Sequence, residues 1–427
     1  MTTTATDLKV DVWPGLTPRL LRIGAAPEEL PEYVDAGGYR PADDPGALLD
    51  AVSGSGLLGR GGAAFPLAVK LSAVRAAAQA GRQTVVIANG EEGEPASVKD
   101  RWLLRNRPHL VLDGLWLAAR VVGARRGYVY VSDPHAATAV EAALATAGEH
   151  LGPLQVSVVT VDPAYIAGEE SAAVRVINGG PAKPTDKPPR VFEEGVDGLP
   201  TLVSNVETLA HLPFILRHGP AEFRRYGTEA SPGTFLATVT GAGRPPALYE
   251  LPHGSKTADL LVLHGVDPAA VNGALMGGYF AGLLNRSIVD ATLDHESMRS
   301  LGSGLGCGAV AVLTEDCPVA VAASVLGYFD RENAGQCGSC FNGTAAMAAV
   351  AEALRDGGAG TDDVARLRRW SVVLRGRGAC ATLDGAANVA ASLLDQFPAL
   401  VESHLDGGCA GCGGFTALRP FEVEAVS

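Results

Sequence analysis

The sequence predicts an α/β domain with a mostly parallel sheet, followed by a small α+β module and a C-terminal helical bundle. Three observations carry this expectation. Short β-branched runs at 84–87, 128–131 and 156–161 alternate with helix-length stretches at 110–122 and 135–147. Strands separated by helices of that length pair in parallel and put ligand loops at their ends. Composition then changes near 230, where residues 233–251, GTFLATVTGAGRPPALYEL, read as two strands joined by a Gly/Pro turn. Beyond 320, Met347, Val350 and Leu354, and later Val389, Leu393, Phe397 and Leu400, recur at helical spacing.

Taken in order, residues 1–45, with Pro14, Pro27, Pro31 and Pro41, read as an irregular lead segment. The α/β domain is expected over 46–228. The α+β module is expected over 229–292, with a short helix at 257–265 and a Gly-rich turn at 277–282. The helical domain is expected over 320–403, and a Gly/Cys-containing tail over 404–427. The first residues, MTTTATDLKVDVW, lack a basic region followed by an apolar run, so no signal peptide is expected. The longest apolar stretch, near 318–329, is too short to span a bilayer. These features predict a soluble cytoplasmic protein that can dock peripherally on a membrane complex.

A chain of 427 residues exceeds one ordinary core, and its 47% hydrophobic content supplies the material for several. The formal net charge of −13 repels phosphodiester backbones and argues against nucleic acid as a partner. It does not repel a dinucleotide whose phosphates are met locally by Arg60, Lys70 and backbone amides. Seven cysteines without a secretory signal argue against a disulfide framework. Four of them form C-x-x-C pairs, Cys337/Cys340 and Cys409/Cys412, with Cys380 between. Cys307 and Cys317 sit in apolar surroundings and read as small buried hydrophobes. His109, in RPHL, reads as a locally packed side chain.

Four stretches carry chemistry. Residues 59–66, GRGGAAFP, form a nearly side-chain-free loop with one cation, and glycine lets backbone amides approach a phosphate or a flat ring. Alone, such a loop is equally a tight turn. Residues 89–95, NGEEGEP, crowd Glu91, Glu92 and Glu94 into one loop. Carboxylates that close repel one another, so solvation alone does not explain them; they suit hydroxyls, amides and ring nitrogens. Residues 165–172, YIAGEESA, offer an aromatic face, close backbone access and two acceptors at a helix start. Lys187-Pro188-Pro189-Arg190 fixes an extended segment, and PTLVSNVET at 200–208 places Asn205 and Thr208 where they can bond ring edges or phosphate.

In this order, GRGGA-x-FP, N-x-x-EGEP, Y-x-x-GEE, KPP and PT-x-V-x-NVET, the chain resembles the NADH-binding flavoprotein subunit of respiratory complex I. The flavin subunits of NAD-reducing hydrogenases and formate dehydrogenases share the pattern. The resemblance runs from about 46 to about 400. It implies a Rossmann-like flavin domain, a ubiquitin-like (SLBB-type) module at 229–292 and a helical iron–sulfur domain. It also implies that Gly59, Arg60, Gly61, Gly62, Lys70, Asn89, Glu91, Glu92, Tyr165, Gly168, Glu169, Asn205 and Thr208 surround FMN. Phe65, Glu94, Glu170 and Lys187 would face NAD(H). The implied activity is NADH dehydrogenase chemistry within a complex: hydride passes from NADH to FMN, then single electrons to a cluster, with no general acid or base. No quinone pocket or membrane span is read, so the acceptor would belong to a partner such as a ferredoxin-like protein or a membrane cytochrome subunit.

The chain departs from the family pattern in places. Glu91 stands for an Asp and Ser204 for an Asn, which are mild changes. Ala73 and Arg190 stand where aromatic rings flank the adenine; each lost face is worth roughly 1–3 kcal/mol if nothing replaces it. Arg190 can itself stack on adenine or pair with a phosphate. At the cluster, Cys337 and Cys340 take the second and third ligand positions and Cys380 the fourth, while Ala334 occupies the first. A [4Fe–4S] cluster normally takes four thiolates. A non-Cys ligand, a three-iron cluster, a contribution from Cys409 or Cys412, or an empty site would each account for this. Cys409 and Cys412, with His404 nearby, have metal spacing of their own; a Gly-rich tail is the alternative. Two other functions remain open from the residues: a non-catalytic scaffold that keeps the fold, and a free-standing diaphorase without a cluster.

Overall fold

The computed structural model describes residues 8–24, 26–412, 415 and 417–424. Residues 1–7 of the lead segment, Ala25, and residues 413, 414, 416 and 425–427 of the tail lie outside the described residues.

The first sheet has four parallel strands in the order Gln155–Thr160, Arg126–Val131, Val85–Asn89, Thr201–Asn205. Its central strand shows why it forms. Val86 and Ala88 pack into one core with helices Leu67–Gln79, Pro108–Val122 and Pro134–Ala147. Val85 and Ile87 point the other way, into a second core with Ala173 and Val174 of helix Glu170–Ile177. Side chains alternate across a strand, so a run that is apolar on both faces is stable only when both are covered. Pro108 and Pro134 open their helices, where a missing N–H costs nothing. The Asp133 carboxylate accepts from His135 N at 2.8 Å and caps the second of them.

Beside this domain lies a six-stranded mixed sheet, ordered Lys9–Val12, Ala247–Pro252, Thr234–Gly241, Ala309–Leu313, Gly273–Met276, Leu283–Asn285. The expected antiparallel pair at 233–251 is present, and helix Thr257–Leu263 packs Leu260 and Leu261 on the sheet. Two expectations are corrected here. Strand Ala309–Leu313 lies between Thr234–Gly241 and Gly273–Met276, so the module does not stop at 292. The lead segment is not wholly irregular either: Lys9–Val12 pairs in parallel with Ala247–Pro252, in the register Lys9 to Ala247, and helix Leu30–Asp35 follows. The fully buried Glu250 carboxylate accepts from the backbone amides of Arg19, Leu20 and Leu21 at 2.9–3.1 Å, which fastens that segment.

Helices Pro318–Glu332, Gly338–Arg355, Thr361–Val373, Thr382–Gln396 and Pro398–Leu405 make the C-terminal domain. Met347, Val350, Leu354, Val389 and Leu393 are buried in its core, with Phe397 and Leu400 packed at its edge. The described part of the tail is not loose. Val423 N donates to Pro95 O at 2.9 Å and Tyr279 Oη to Pro420 O at 2.5 Å, so the tail returns to the α/β domain.

Candidate functional site

All four parallel strands deliver their following loops to one edge of the sheet. Asn89 leads into the acidic loop, Val131 into Ser132, Thr160 into the segment before Tyr165, and Asn205 ends the fourth strand. That carboxyl edge is where open α/β sheets bind ligands.

The acidic loop is held by specific donors. The buried Glu91 carboxylate accepts from Ser132 Oγ at 2.9 Å and Ala164 N at 3.3 Å. Burial outweighs those bonds and pushes its pKa up to about 7. Glu92 accepts from Ser97 Oγ at 2.6 Å, from the amides of Asp100 and Arg101, and from Arg101 Nε at 3.3 Å. It therefore organises the start of helix Lys99–Asn106. Glu94 reaches across to the second sheet and accepts from Tyr279 N at 2.9 Å. Burial pushes its pKa up to about 8. A Cβ on Gly278, at φ +76°, would overlap the Glu94 side chain, so only glycine fits there. Asn89 Nδ2 donates to Gly168 O at 2.8 Å, and a Cβ on Gly168 would stand 3.0 Å from Glu91 O, which seats the two loops against each other.

The glycine loop faces this assembly. A Cβ on Gly61 would meet Asn205 Cβ at 3.2 Å, and Gly62, at φ +108°, opens toward Gly306 and Cys307 of the second sheet's glycine-rich turn. Arg60 N donates to Thr208 Oγ1 at 2.8 Å. The Arg60 side chain is a correction to its expected role as a loop cation. It is buried, pointing to Pro232 O and Thr234 O at 3.3 and 3.0 Å and lying 3.9 Å from Glu207. Its guanidinium locks the loop to the second sheet instead of meeting a phosphate. Phe65, at the loop's end, is 47% exposed and free to present a ring face.

Above the cradle sits a charged group of four. Lys187 Nζ lies 2.6 Å from Glu169 and 3.6 Å from Glu170, and Lys70 Nζ lies 3.2 Å from Glu170. Burial works against ionisation of Glu170, but Lys70 and Lys187 overcome it and hold its pKa below the usual carboxylate range. Arg190, by contrast, is exposed, and Ala73 is half-buried on its helix.

Sequence reasoning missed one polar knot beneath the cradle. Lys99 Nζ lies 2.7 Å from Asp100 and 3.0 Å from Glu207, all buried. Asn205 Nδ2 donates to Asp100 Oδ2 at 2.6 Å, and Glu207 accepts from Leu236 N at 2.9 Å. Burial raises Asp100 despite Lys99 beside it, while Asp100 and Glu207 keep Lys99 protonated against its burial. The adjacent pair Lys99-Asp100 was a readable signal, but its partner Glu207 lies more than a hundred residues away.

The cysteines form two separate gatherings. Cys337, Cys340 and Cys380 line one small cavity with Ala334, Gln336 and Pro184, so the structure brings together the three predicted ligands. Ala379 N points at Cys337 Sγ at 3.4 Å. Gln336 is committed elsewhere, to Pro184 O at 2.9 Å and Arg175 at 3.1 Å. The donors thus suit a cluster held by three thiolates. Tyr165 lies between the acidic loop, where a Cβ on Gly93 would stand 2.9 Å from its Cα, and the core of the helical domain. Burial raises its hydroxyl well above the ordinary range, and Glu94, Tyr328, Cys307 and Cys380 add to the effect. Its ring meets Phe329 edge-on at 5.2 Å.

The second gathering corrects two expectations. Cys409 and Cys412 are not in the first cavity, and Cys317 is no mere apolar filler: it joins His404, Cys409 and Cys412, with all four donor atoms within 4.8 Å of one another. Among the described residues this is the only such group of three or more His, Cys, Asp or Glu donors. His109 behaves as expected, with Nδ1 3.0 Å from Tyr39 Oη in the α/β core.

Comparison with known proteins fits this geometry. Residues 52–213 match the family model for the Nuo51 FMN-binding domain. Residues 320–404 match the NADH-ubiquinone oxidoreductase-F iron–sulfur binding region. The chain is 33% identical to the F 2 subunit of the NADH-quinone oxidoreductase of Rhizobium meliloti (strain 1021), covering 91% of this chain and 98% of the relative. It is 29% identical to the HndC subunit of the NADP-reducing hydrogenase of Solidesulfovibrio fructosivorans, covering 94% and 89%. A crystal structure of an NAD+-reducing [NiFe]-hydrogenase in the H2-reduced state superposes with a TM-score of 0.78 at 29% identity, covering 89% of this chain and 67% of that one. Among the described residues no helix is long and apolar enough to cross a membrane. The chain belongs to the flavoprotein-subunit family of NADH-quinone oxidoreductases, FMN-binding NADH dehydrogenase subunits with an iron–sulfur region that carries electrons onward.

Proposed function

We propose that the glycine loop, the acidic loop and residues 165–169 hold FMN, with Gly59, Gly61, Gly62, Lys70, Asn89, Glu91, Glu92, Tyr165, Gly168, Glu169, Asn205 and Thr208 around it. FMN, when bound, supplies a hydride acceptor that releases its electrons one at a time. Phe65, Glu94, Glu170 and Lys187 face NADH. Phe65 offers its exposed ring to the adenine, and the Lys70–Glu170–Lys187 group sets the charge beside the nucleotide. Glu94, half-buried where the acidic loop meets Tyr279, borders the ring stack, and its carboxyl, pushed up to about 8, holds its proton near pH 7. Cys337, Cys340 and Cys380, which line one cavity, hold the iron–sulfur cluster.

The observation that carries this function is the position of Tyr165 between the acidic loop, where a Cβ on Gly93 would stand 2.9 Å from its Cα, and the helical domain, where its ring meets Phe329 edge-on at 5.2 Å. That position supports a reading in which the flavin and the cluster lie on either side of this residue. The onward acceptor is a partner protein, of ferredoxin-like or membrane-cytochrome type, and the chain works at the periphery of such a complex. The domain division that fits best is 46–228 for the flavin domain, a module from 229 through strand Ala309–Leu313, and a helical domain from Pro318.

Anaerobically purified full chain tests the proposal. Flavin, iron and acid-labile sulfide are counted per chain, and the visible spectrum is followed on adding NADH and, separately, NADPH. A yellow, iron-containing protein bleached by a nicotinamide nucleotide is expected. Protein that refuses added flavin, or flavin that neither nucleotide reduces, would support the scaffold reading. Flavin without iron would support the free-standing diaphorase.

A further inference from the structure

The four donors Cys317, His404, Cys409 and Cys412 come from three separate places. Cys317 is the N-cap of helix Pro318–Glu332, His404 lies in the last turn of helix Pro398–Leu405, and the C-x-x-C follows on the loop beyond. His404 Nε2 is 3.2 Å from Cys412 Sγ and 3.6 Å from Cys317 Sγ, and Cys409 Sγ is 3.5 Å from Cys412 Sγ. Three sulfurs and a nitrogen around one ion, with bonds of about 2.3 and 2.0 Å, sit roughly 3.5–4 Å apart. A cubane carries each thiolate on a different iron and spreads its ligands much farther. The spacing therefore selects a single ion over a cluster.

The orientation of His404 is a second, independent observation. The residue is fully buried, and its Nδ1 is 2.7 Å from Leu400 O. A carbonyl only accepts, so Nδ1 carries a proton, and the neutral tautomer this fixes has its lone pair on Nε2, which faces the sulfurs. A backbone carbonyl that fixes the tautomer in this way is the usual support of a metal-bound imidazole. The donor set also excludes hard ions: three thiolates and an imidazole suit Zn2+. All four tetrahedral positions are taken by protein, which makes the site closed and structural. The matched iron–sulfur region, 320–404, leaves out Cys317, Cys409 and Cys412.

We propose that Cys317, His404, Cys409 and Cys412 bind one Zn2+, separate from the iron–sulfur centre, and that this ion anchors the C-terminal segment as a strap across the protein. Beyond Cys412 the strap is held by Arg331, which donates to Leu418 O at 2.6 Å, and by Tyr279. At Val423 it meets the acidic loop's partner Arg101, which donates to Val423 O at 3.1 Å while also pairing with Glu92. The ion thus fixes the far end of a chain segment that braces the loop beside the cradle. The proposal does not depend on whether that cradle holds FMN.

Elemental analysis of the full chain, produced with zinc and iron both supplied and purified anaerobically, tests the site. About one zinc per chain is expected besides iron. Cys412→Ser should lower zinc at least tenfold with iron retained, and Cys337→Ser should do the reverse. Cys409→Ser, at a less buried position, gives the same answer if Cys412→Ser does not fold. Co2+ in place of Zn2+ should show the visible bands of a tetrahedral thiolate complex. Removing zinc with a chelator should speed amide exchange at Val423 at least tenfold. Iron lost from the Cys409 or Cys412 variants, zinc unchanged in them, or a Cys409–Cys412 disulfide in the reduced protein would overturn the metal assignment. Unchanged exchange at Val423 would overturn the strap.

Discussion

The cradle and the helical domain solve opposite problems. In the cradle nearly every carboxylate already has its donors: Glu91 has Ser132 and Ala164, Glu92 has Ser97 and Arg101, and Glu94 has Tyr279. In the helical domain, the thiols of both gatherings face one another with few polar partners. A polar site that is satisfied internally is preorganised and waits for its ligand with little rearrangement. A thiol site is completed only by the metal, whose binding energy then becomes folding energy. The difference teaches that flavin content and metal content should report on separable parts of one chain.

Three substitutions press on that contrast. The largest effect is expected at the knot beneath the cradle. Lys99→Met strips Asp100 and Glu207 of their shared cation in a buried setting, and breaking such a group costs about 3–5 kcal/mol. A large fall in melting temperature with loss of flavin, measured by calorimetry and absorbance, is expected; an unchanged melting temperature would show that the cradle is not internally braced.

Next in size is Phe65→Ala. Its ring is half exposed and props up no core, so stability should hold while NADH binding weakens by about 1 kcal/mol, near a fivefold rise in KM. Equal KM values would place the adenine elsewhere. The smallest effect is on pH dependence. The folded pKa of Glu94, about 8, lies above its ordinary value near 4.5. The folded state therefore holds a proton that the unfolded state has lost between those values. Stability from this group is full at acid pH and declines as pH rises toward 8. Glu94→Gln should flatten the decline in melting temperature between pH 5 and 9, a range set by that shift; an unaltered slope would assign the titration to other groups such as Glu91.

What the sequence revealed was mostly local. The glycine loop, the acidic loop and the YIAGEE turn announce themselves because glycines and crowded carboxylates are unusual within a few residues. Three of the four parallel strands were readable from β-branched runs between helices, and the bundle from helical spacing; the fourth, Thr201–Asn205, was read only as a motif. The hidden parts were long-range. Arg60 looked like a phosphate cation because its loop is polar, yet Pro232, Thr234 and Glu207 draw it inward from over a hundred residues away. Cys317 looked like packing material because its metal-type partner His404 is 87 residues distant and no local pattern links them. Strand Ala309–Leu313 was missed because its pairing partners precede it by tens of residues.

Strand Lys9–Val12 has a practical consequence for anyone dissecting the protein. It occupies the outer rim of the six-stranded sheet, alongside Ala247–Pro252. A fragment trimmed to begin at the flavin domain would bare main-chain amides and carbonyls along strand Ala247–Pro252. Such a rim recruits strands from neighbouring molecules. The opening residues therefore serve colloidal hygiene as much as architecture, and truncations meant to isolate the cofactor sites are best begun upstream of Lys9.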